Sequence, residues 1–329
     1  MADIAILGSG GWGTALAVML NNNGHNVTVW SAFESEIMDI IEDGENKRYL
    51  PGVCIDSSIN LTSDISVASG KDLVILAVPS FAVRETCKKL KNILKDGQVV
   101  TNVAKGFEQN TTTLLSSVIK QELPNIRLTV LSGPSHAEEV GKGVPTSVVV
   151  ASESIQDAEY VQSIVNNPVF RVYTNSDVTG VEICGALKNV IALCWGICVG
   201  MGLGDNTKAA LIARGLSEIT RLGTRLNANP STFSGLAGIG DLVVTCCSTH
   251  SRNHRFGILV GKGVNVSEAL RLIDMTVEGY YATAAALKLA DELNVDAPII
   301  QGCYDILYNF KRPKYVLNDL MQRPIKFED

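Results

Sequence analysis

Three groups of residues in this 329-residue chain are of types and spacings that could do chemistry. The first is Gly8-Ser9-Gly10-Gly11-Trp12-Gly13, a G-x-G-x-x-G pattern that gains meaning only between a strand and a helix. Here the β-rich run Ile4–Leu7 leads into it and the helical pattern Thr14–Asn22 follows. In that setting Gly8 allows the tight turn, Gly10 lets the backbone approach a pyrophosphate, and Gly13 permits close helix–strand packing. Free N–H groups and the dipole at the helix N-terminus favour the anion. The bland alternative is a glycine-rich turn without a ligand. The second group centres on Lys188, the one basic residue between Val178 and Lys208, set in an otherwise apolar helical pattern. Burial disfavours an ammonium and draws a lysine toward the working pH, as general acid–base chemistry requires. A snorkelling lysine, or one paired with Glu182, is the structural alternative. Asp241 and Thr245, four residues apart, share a helical face and could hold Lys188 or a substrate hydroxyl; Asp241 could equally be an N-cap. The third group, Ser251-Arg252-Asn253, offers a hydroxyl, a forked guanidinium and an amide, a candidate phosphate clamp or else a solvated polar turn.

Other patterns carry less. His250 and His254 have the spacing of a zinc ligand pair, but no third ligand cluster accompanies them, and no metal is expected. Asp205-Asn206 are expected to cap the helical pattern Thr207–Leu226. The residue that reads the cofactor's adenosine ribose normally stands about 20 residues beyond the glycines, at the end of the second strand. Ser31-Ala32-Phe33 supply neither an acid for NAD nor a basic clamp for NADP there. Glu34 and Glu36 are the nearest charges and read as the solvated face of the next helix, so the choice between NAD and NADP stays open.

The elements that must position these groups fall into two sets. Strand candidates are Ile4–Leu7, Val27–Trp30, Leu73–Val78, Val99–Val103, Leu128–Leu131, Thr146–Val150 and Arg171–Thr174. Several are continuous Val/Ile/Leu runs, as in strands buried on both faces of a parallel sheet. Helical patterns separate them, among them Glu34–Ile41, Val83–Leu94 and Thr112–Glu122. Beyond about Val178 helical patterns dominate: Val181–Val199, Thr207–Leu226, Val266–Leu272, Tyr281–Leu293 and Ile299–Asn309. The expectation is an α/β protein, with a doubly wound Rossmann-type parallel sheet over residues 1–178 and an all-helical domain over 179–329.

Composition sets the outer limits. A chain that is 46% apolar and 19% charged folds. A net charge of −6 argues against nucleic-acid or anionic-membrane partners, which need a basic face. The eight cysteines form no C-x-x-C pair, which fits a reducing, cytoplasmic setting. Met1-Ala2-Asp3-Ile4 runs straight into a strand pattern, so no leader is expected. The most apolar stretch, Val190–Val199, is about half of the ~20 residues a membrane span needs and reads as a buried helix.

The glycine motif is followed by Lys105-Gly106, Gly133-Pro134-Ser135-His136-Ala137-Glu138-Glu139 and Gly185-Ala186-Leu187-Lys188-Asn189. Gly204-Asp205-Asn206-Thr207-Lys208-Ala209-Ala210-Leu211, Gly240-Asp241-Leu242, Ser251-Arg252-Asn253 and Val277-Glu278-Gly279 come next, in that order. On these motifs the sequence closely resembles the NAD(P)-dependent sn-glycerol-3-phosphate dehydrogenases of bacteria. The resemblance implies interconversion of dihydroxyacetone phosphate and sn-glycerol 3-phosphate, supplying the backbone of membrane phospholipids. It implies Lys188 as the acid–base group, with Asp241, Thr245, Asn189 and Lys105 beside it. Lys105, which follows the carboxyl end of Val99–Val103, would touch both substrate and cofactor. Gly133, Ser135, Ser251, Arg252 and Asn253 would join Lys188 and Asp241 at the substrate. Ala137, Arg252 and Glu278 would join Ser9, Gly11, Trp12 and the other glycines at the cofactor. Two departures stand out. Gly11 replaces a frequent Ser, which should leave the phosphate turn intact, and Ala32-Phe33 replace residues that are commonly basic. A homodimer is expected because many such enzymes pair. The alternatives are a dehydrogenase of another small hydroxy substrate, or a non-catalytic nicotinamide sensor, which would need neither the lysine nor the clamp.

Overall fold

The computed structural model describes residues 1–108, 111–325 and 327–328. They form two compact units, Met1–Glu182 and Ile183–Asp329.

The first unit is built on strands β1 (Asp3–Leu7), β2 (Asn26–Trp30), β3 (Asn60–Thr62), β4 (Leu73–Leu76), β5 (Val99–Asn102), β6 (Arg127–Ser132), β7 (Thr146–Ala151) and β8 (Phe170–Asn175). Their order across the sheet is β3-β2-β1-β4-β5-β6-β7-β8. Helices α1 (Gly11–Asn22), α2 (Glu34–Asp43), α3 (Val83–Leu90), α4 (Leu115–Glu122), α5 (Ala137–Val140) and α6 (Ile155–Val165) connect them. This is the doubly wound Rossmann-type arrangement, with the chain reversing direction across the sheet between β1 and β4. The apolar strands have helices on both sides. Ile4 and Ile6 of β1 pack into one core with Ala15, Leu16 and Leu20 of α1. Ala5 and Leu7 pack into the opposite core with Cys87 and Leu90 of α3 and Val118 of α4. A strand whose alternate residues are all buried cannot show a polar face, hence the unbroken apolar runs.

Four features differ from the sequence reading. The short strand β3 was not anticipated; it pairs parallel to β2 with Thr28 opposite Asn60. The sheet is also not wholly parallel, since β7 runs antiparallel to β6 and β8 then runs parallel to β7. Strand direction leaves no trace in side-chain periodicity. Helix α4 begins at Leu115 rather than Thr112, and the Ser116 N–H donates to the Glu182 carboxylate at 2.9 Å. Helix α3 stops at Leu90, four residues short of the pattern that suggested it.

Helix α7 (Val178–Gly200) spans the division between the units. The second unit continues through α8 (Asp205–Arg225), α9 (Pro230–Phe233), α10 (Asp241–Cys247), α11 (Arg252–Gly261), α12 (Val266–Ile273), α13 (Glu278–Glu292), α14 (Pro298–Leu307) and α15 (Pro313–Met321). It is helical, as expected. By length and composition α7 could cross a membrane, so the short-stretch argument from Val190–Val199 does not hold, but 72% of its apolar window is buried in the protein. Helices α7 and α11 meet backbone to backbone. A Cβ at Gly196 would lie 2.2 Å from the His254 carbonyl, and one at Gly257 would lie 2.2 Å from the Leu193 carbonyl. Only glycine permits that approach. Helix α8 is capped by Gly204 rather than by Asp205 or Asn206, and Asp205 instead pairs with Lys208 at 2.5 Å.

Candidate active site

In the first unit the glycine loop leaves the carboxyl end of β1 and opens α1. Gly8 has φ +130°, and a Cβ there would sit 2.6 Å from the Ala77 carbonyl. A Cβ at Gly13 would sit 2.0 Å from the Gly8 carbonyl, so these two glycines are required by packing. Gly10 differs. It is the N-cap of α1, its side-chain position is open, and no side chain caps the helix there. An open glycine before bare N–H groups fits a dinucleotide pyrophosphate.

The loop is braced from a segment that carries no periodic signal. Asn46 donates to the Ser9 carbonyl at 2.7 Å and to Thr14 Oγ1 at 2.9 Å. A Cβ at Gly11 would meet the Tyr49 carbonyl at 2.5 Å and lie 3.7 Å from Ala137 Cβ. Glycine at this position lets the loop lie against the Tyr49 segment, which a Ser side chain would have to displace, and Ala137 sits beside the loop. Glu36 is half-buried rather than solvated, and accepts from Ser9 Oγ and Ser31 Oγ, each at 2.7 Å. Glu34 is exposed, as expected. Farther along the carboxyl edge, Lys105 Nζ donates to the Gly133 carbonyl at 3.1 Å, and Ser135 Oγ donates to the same oxygen at 3.1 Å. Three sequence candidates thus meet at one carbonyl.

In the second unit Lys188 is buried on α7. Its ammonium donates to Asp241 Oδ1 and, at 2.8 Å, to Thr245 Oγ1. Thr245 Oγ1 in turn donates to the Asp241 carbonyl at 2.6 Å. Asp241 is only 1% exposed, and a carboxylate taken that far from water needs a cation beside it. The N-cap of α10 is Gly240, so Asp241 is not the capping residue that its position also allowed. Glu182 is not the partner of Lys188 either. It takes the Ser116 N–H, its Oε2 is buried without a hydrogen-bond partner among the described residues, and burial pushes its carboxyl up to about 7.

Asn189, next to Lys188, accepts through Oδ1 from Asn253 Nδ2 at 3.0 Å, and Asn253 Oδ1 accepts from the Gly279 N–H at 2.8 Å. A Cβ at Gly279 would strike the Asn189 carbonyl at 2.5 Å, so this joint too requires glycine. Ser251 is no part of a loose turn. It caps α11 by accepting from the His254 N–H at 3.3 Å, and Arg252 follows it, half-buried, as the first helical residue. His254 directs Nδ1 to the Ser248 carbonyl at 3.0 Å, a structural use of one of the two histidines. Glu278 is the first residue of α13, half-buried beside Gly279.

Residues 3–158 match the model of the NAD-dependent glycerol-3-phosphate dehydrogenase N-terminus, and residues 177–318 match that of the C-terminus. The chain belongs to this dehydrogenase family. A glycerol-3-phosphate dehydrogenase [NAD(P)+] of Fusobacterium nucleatum is 48% identical over 331 residues, covering 100% of this chain and 99% of that protein. One from Moorella thermoacetica is 51% identical over 323 residues, covering 98% of this chain and 96% of that protein. The crystal structure of the glycerol-3-phosphate dehydrogenase from Coxiella burnetii superposes with a TM-score of 0.94 at 36% identity, covering 98% of this chain and 99% of that one. In this dehydrogenase, sequence reasoning missed Glu36, Asn46 and Tyr49. Glu36 had a signal, an acid within reach of the second strand's end; Asn46 and Tyr49 lie in an irregular segment and had none.

Proposed function

We propose that the chain interconverts dihydroxyacetone phosphate and sn-glycerol 3-phosphate with NAD(H) or NADP(H). The observation that carries this reading is the buried cluster of Lys188, Asp241 and Thr245 in a chain of this family. The bound nicotinamide supplies or accepts the hydride. Everything else falls to the chain. Reduction of the ketone leaves charge on its oxygen, and Lys188 is the group that donates a proton there, taking it back in oxidation. Asp241 holds the ammonium in place and compensates its charge while it is buried. Thr245 holds the ammonium from a second side, which fixes where Lys188 presents its proton. Asn189 and Asn253, locked to each other, position the substrate, and Arg252 takes its phosphate by a forked contact. Ser251, by capping α11, sets the direction in which Arg252 leaves the helix. Lys105, Gly133 and Ser135 form the substrate- and cofactor-facing edge of the sheet unit, and Ala137, Glu278 and the Gly8–Gly13 loop hold the cofactor.

The Met1–Glu182 unit is assigned the glycine loop that holds the cofactor, and the Ile183–Asp329 unit proton transfer, phosphate binding and the Glu278 contact to the cofactor. We further assign a soluble protein in a reducing, cytoplasmic setting that supplies phospholipid backbones and pairs as a homodimer; a monomeric mass in solution would remove the last assignment. All eight cysteines are free thiols, which suits that compartment.

Lys188→Ala tests the assignment. It should lower turnover by at least ~100-fold while the dissociation constant for the reduced cofactor stays within ~3-fold. Loss of cofactor binding with turnover per bound enzyme preserved would remove Lys188 from the chemistry.

A further inference from the structure

The first turn of α2 places a carboxylate where a Rossmann sheet reads the adenosine ribose. In such sheets that ribose lies between the first glycine turn and the end of the second strand. Here Ser9 belongs to the turn and Ser31 directly follows β2, and both hydroxyls donate to one oxygen, Glu36 Oε2. The side chain that joins these two segments therefore comes from five residues beyond Ser31. The other oxygen, Oε1, takes a long 3.3 Å contact from Tyr49 OH. A carboxylate has about four acceptor positions, so one is left for a further donor. Burial and the adjacent Glu36 carboxylate raise the Tyr49 phenol, which keeps it a donor.

Resting on the dinucleotide reading of this unit, we infer that Glu36 makes the chain selective for NAD(H) over NADP(H). Its carboxylate accepts a hydrogen bond from the ribose 2′-hydroxyl and repels a 2′-phosphate in the same place. The flanking Ala32 and Phe33 are exposed and bring no compensating cation. Arg48, exposed with its guanidinium 5.0 Å from the Tyr49 ring centroid, and Lys89, with its ammonium 5.9 Å from the Trp30 ring centroid, are cations that a 2′-phosphate could recruit from neighbouring segments.

Equilibrium titrations of the intact protein with NADH and NADPH test this without any ketone. They remain informative whatever the substrate is, so failure of this inference and failure of the activity reading are separable. The wild-type dissociation constant for NADH should lie at least ~10-fold below that for NADPH. Added salt should narrow the gap by screening the repulsion, whereas a cationic clamp would lose NADPH affinity as salt rises. Glu36→Gln, which keeps the shape and an acceptor oxygen, should bring the two constants within ~3-fold of each other, chiefly by tightening NADPH. A purely bracing role for Glu36 would weaken both cofactors alike and leave their ratio unchanged; that result overturns the inference. Equal wild-type affinities, or any wild-type preference for NADPH, overturn it as well, whether or not the Glu36 variant folds.

Discussion

Lys188 carries its charge inside the protein, held by Asp241 and Thr245 of a helix far along the chain. A lone basic residue in an apolar helical run announces a buried charge, and Lys188 is one. Its counter-charge was less legible. Glu182 is the near acid in sequence, but six residues along an α-helix turn it roughly 120° away from Lys188. The acid that pairs with Lys188 is Asp241, 53 positions on, and only the packing of α10 brings it there. Asn189 and Asn253 repeat the lesson, since neither is distinctive alone and together they form one hydrogen-bonded joint. Arg252 offers a direct check on the phosphate assignment. Arg252→Ala should raise KM for dihydroxyacetone phosphate by at least ~10-fold, in keeping with the loss of a forked charge-assisted contact. Steady-state kinetics with saturating cofactor would show it, and an unchanged KM would place the clamp elsewhere.

Helices and strands were legible where their burial was one-sided or complete, and less so where they were short or capped from afar. Strand β3 spans only Asn60–Thr62, too few residues for a period. Helix α11 carries glycines at 257 and 261 because the α7 backbone lies against them. The carboxylates that serve distant helices were hidden too. Glu182 receives the Ser116 N–H of α4, and Glu218 of α8 receives the Ile299 and Ile300 N–H groups of α14 at 2.8 and 3.1 Å. Burial pushes each of these carboxyls up to about 7. The consequence for stability has a definite sign. Between about pH 4.5 and 7 the unfolded chain loses these protons while the folded chain keeps them, so the protein loses stability as pH rises through that window. Glu182→Gln keeps an acceptor for Ser116 and cannot ionise. Thermal melts should show it close to wild type near pH 4.5 and more stable than wild type at pH 8. Parallel melting curves at both pH values would mean that Glu182 is ionised in the folded protein throughout.

The fold as a whole, a wound sheet unit followed by a helical unit, was written in the alternation and then the disappearance of β-rich runs. The cofactor loop was legible because its glycines stand in the right order between a strand and a helix. Its supports were not: Asn46 and Tyr49 lie in irregular chain, and Glu36 looked like one more acid on a solvated helix. The most direct measurement is the oxidation of NADH, and in parallel NADPH, by the purified protein in the presence of dihydroxyacetone phosphate, with the product analysed chirally. One sn-glycerol 3-phosphate should form per reduced cofactor consumed. For dihydroxyacetone, which lacks the phosphate that Arg252 is assigned to hold, kcat/KM should be at least ~100-fold lower. Confirmed cofactor binding with no oxidation on dihydroxyacetone phosphate, or turnover only on a carboxylate substrate, would contradict the proposed reaction.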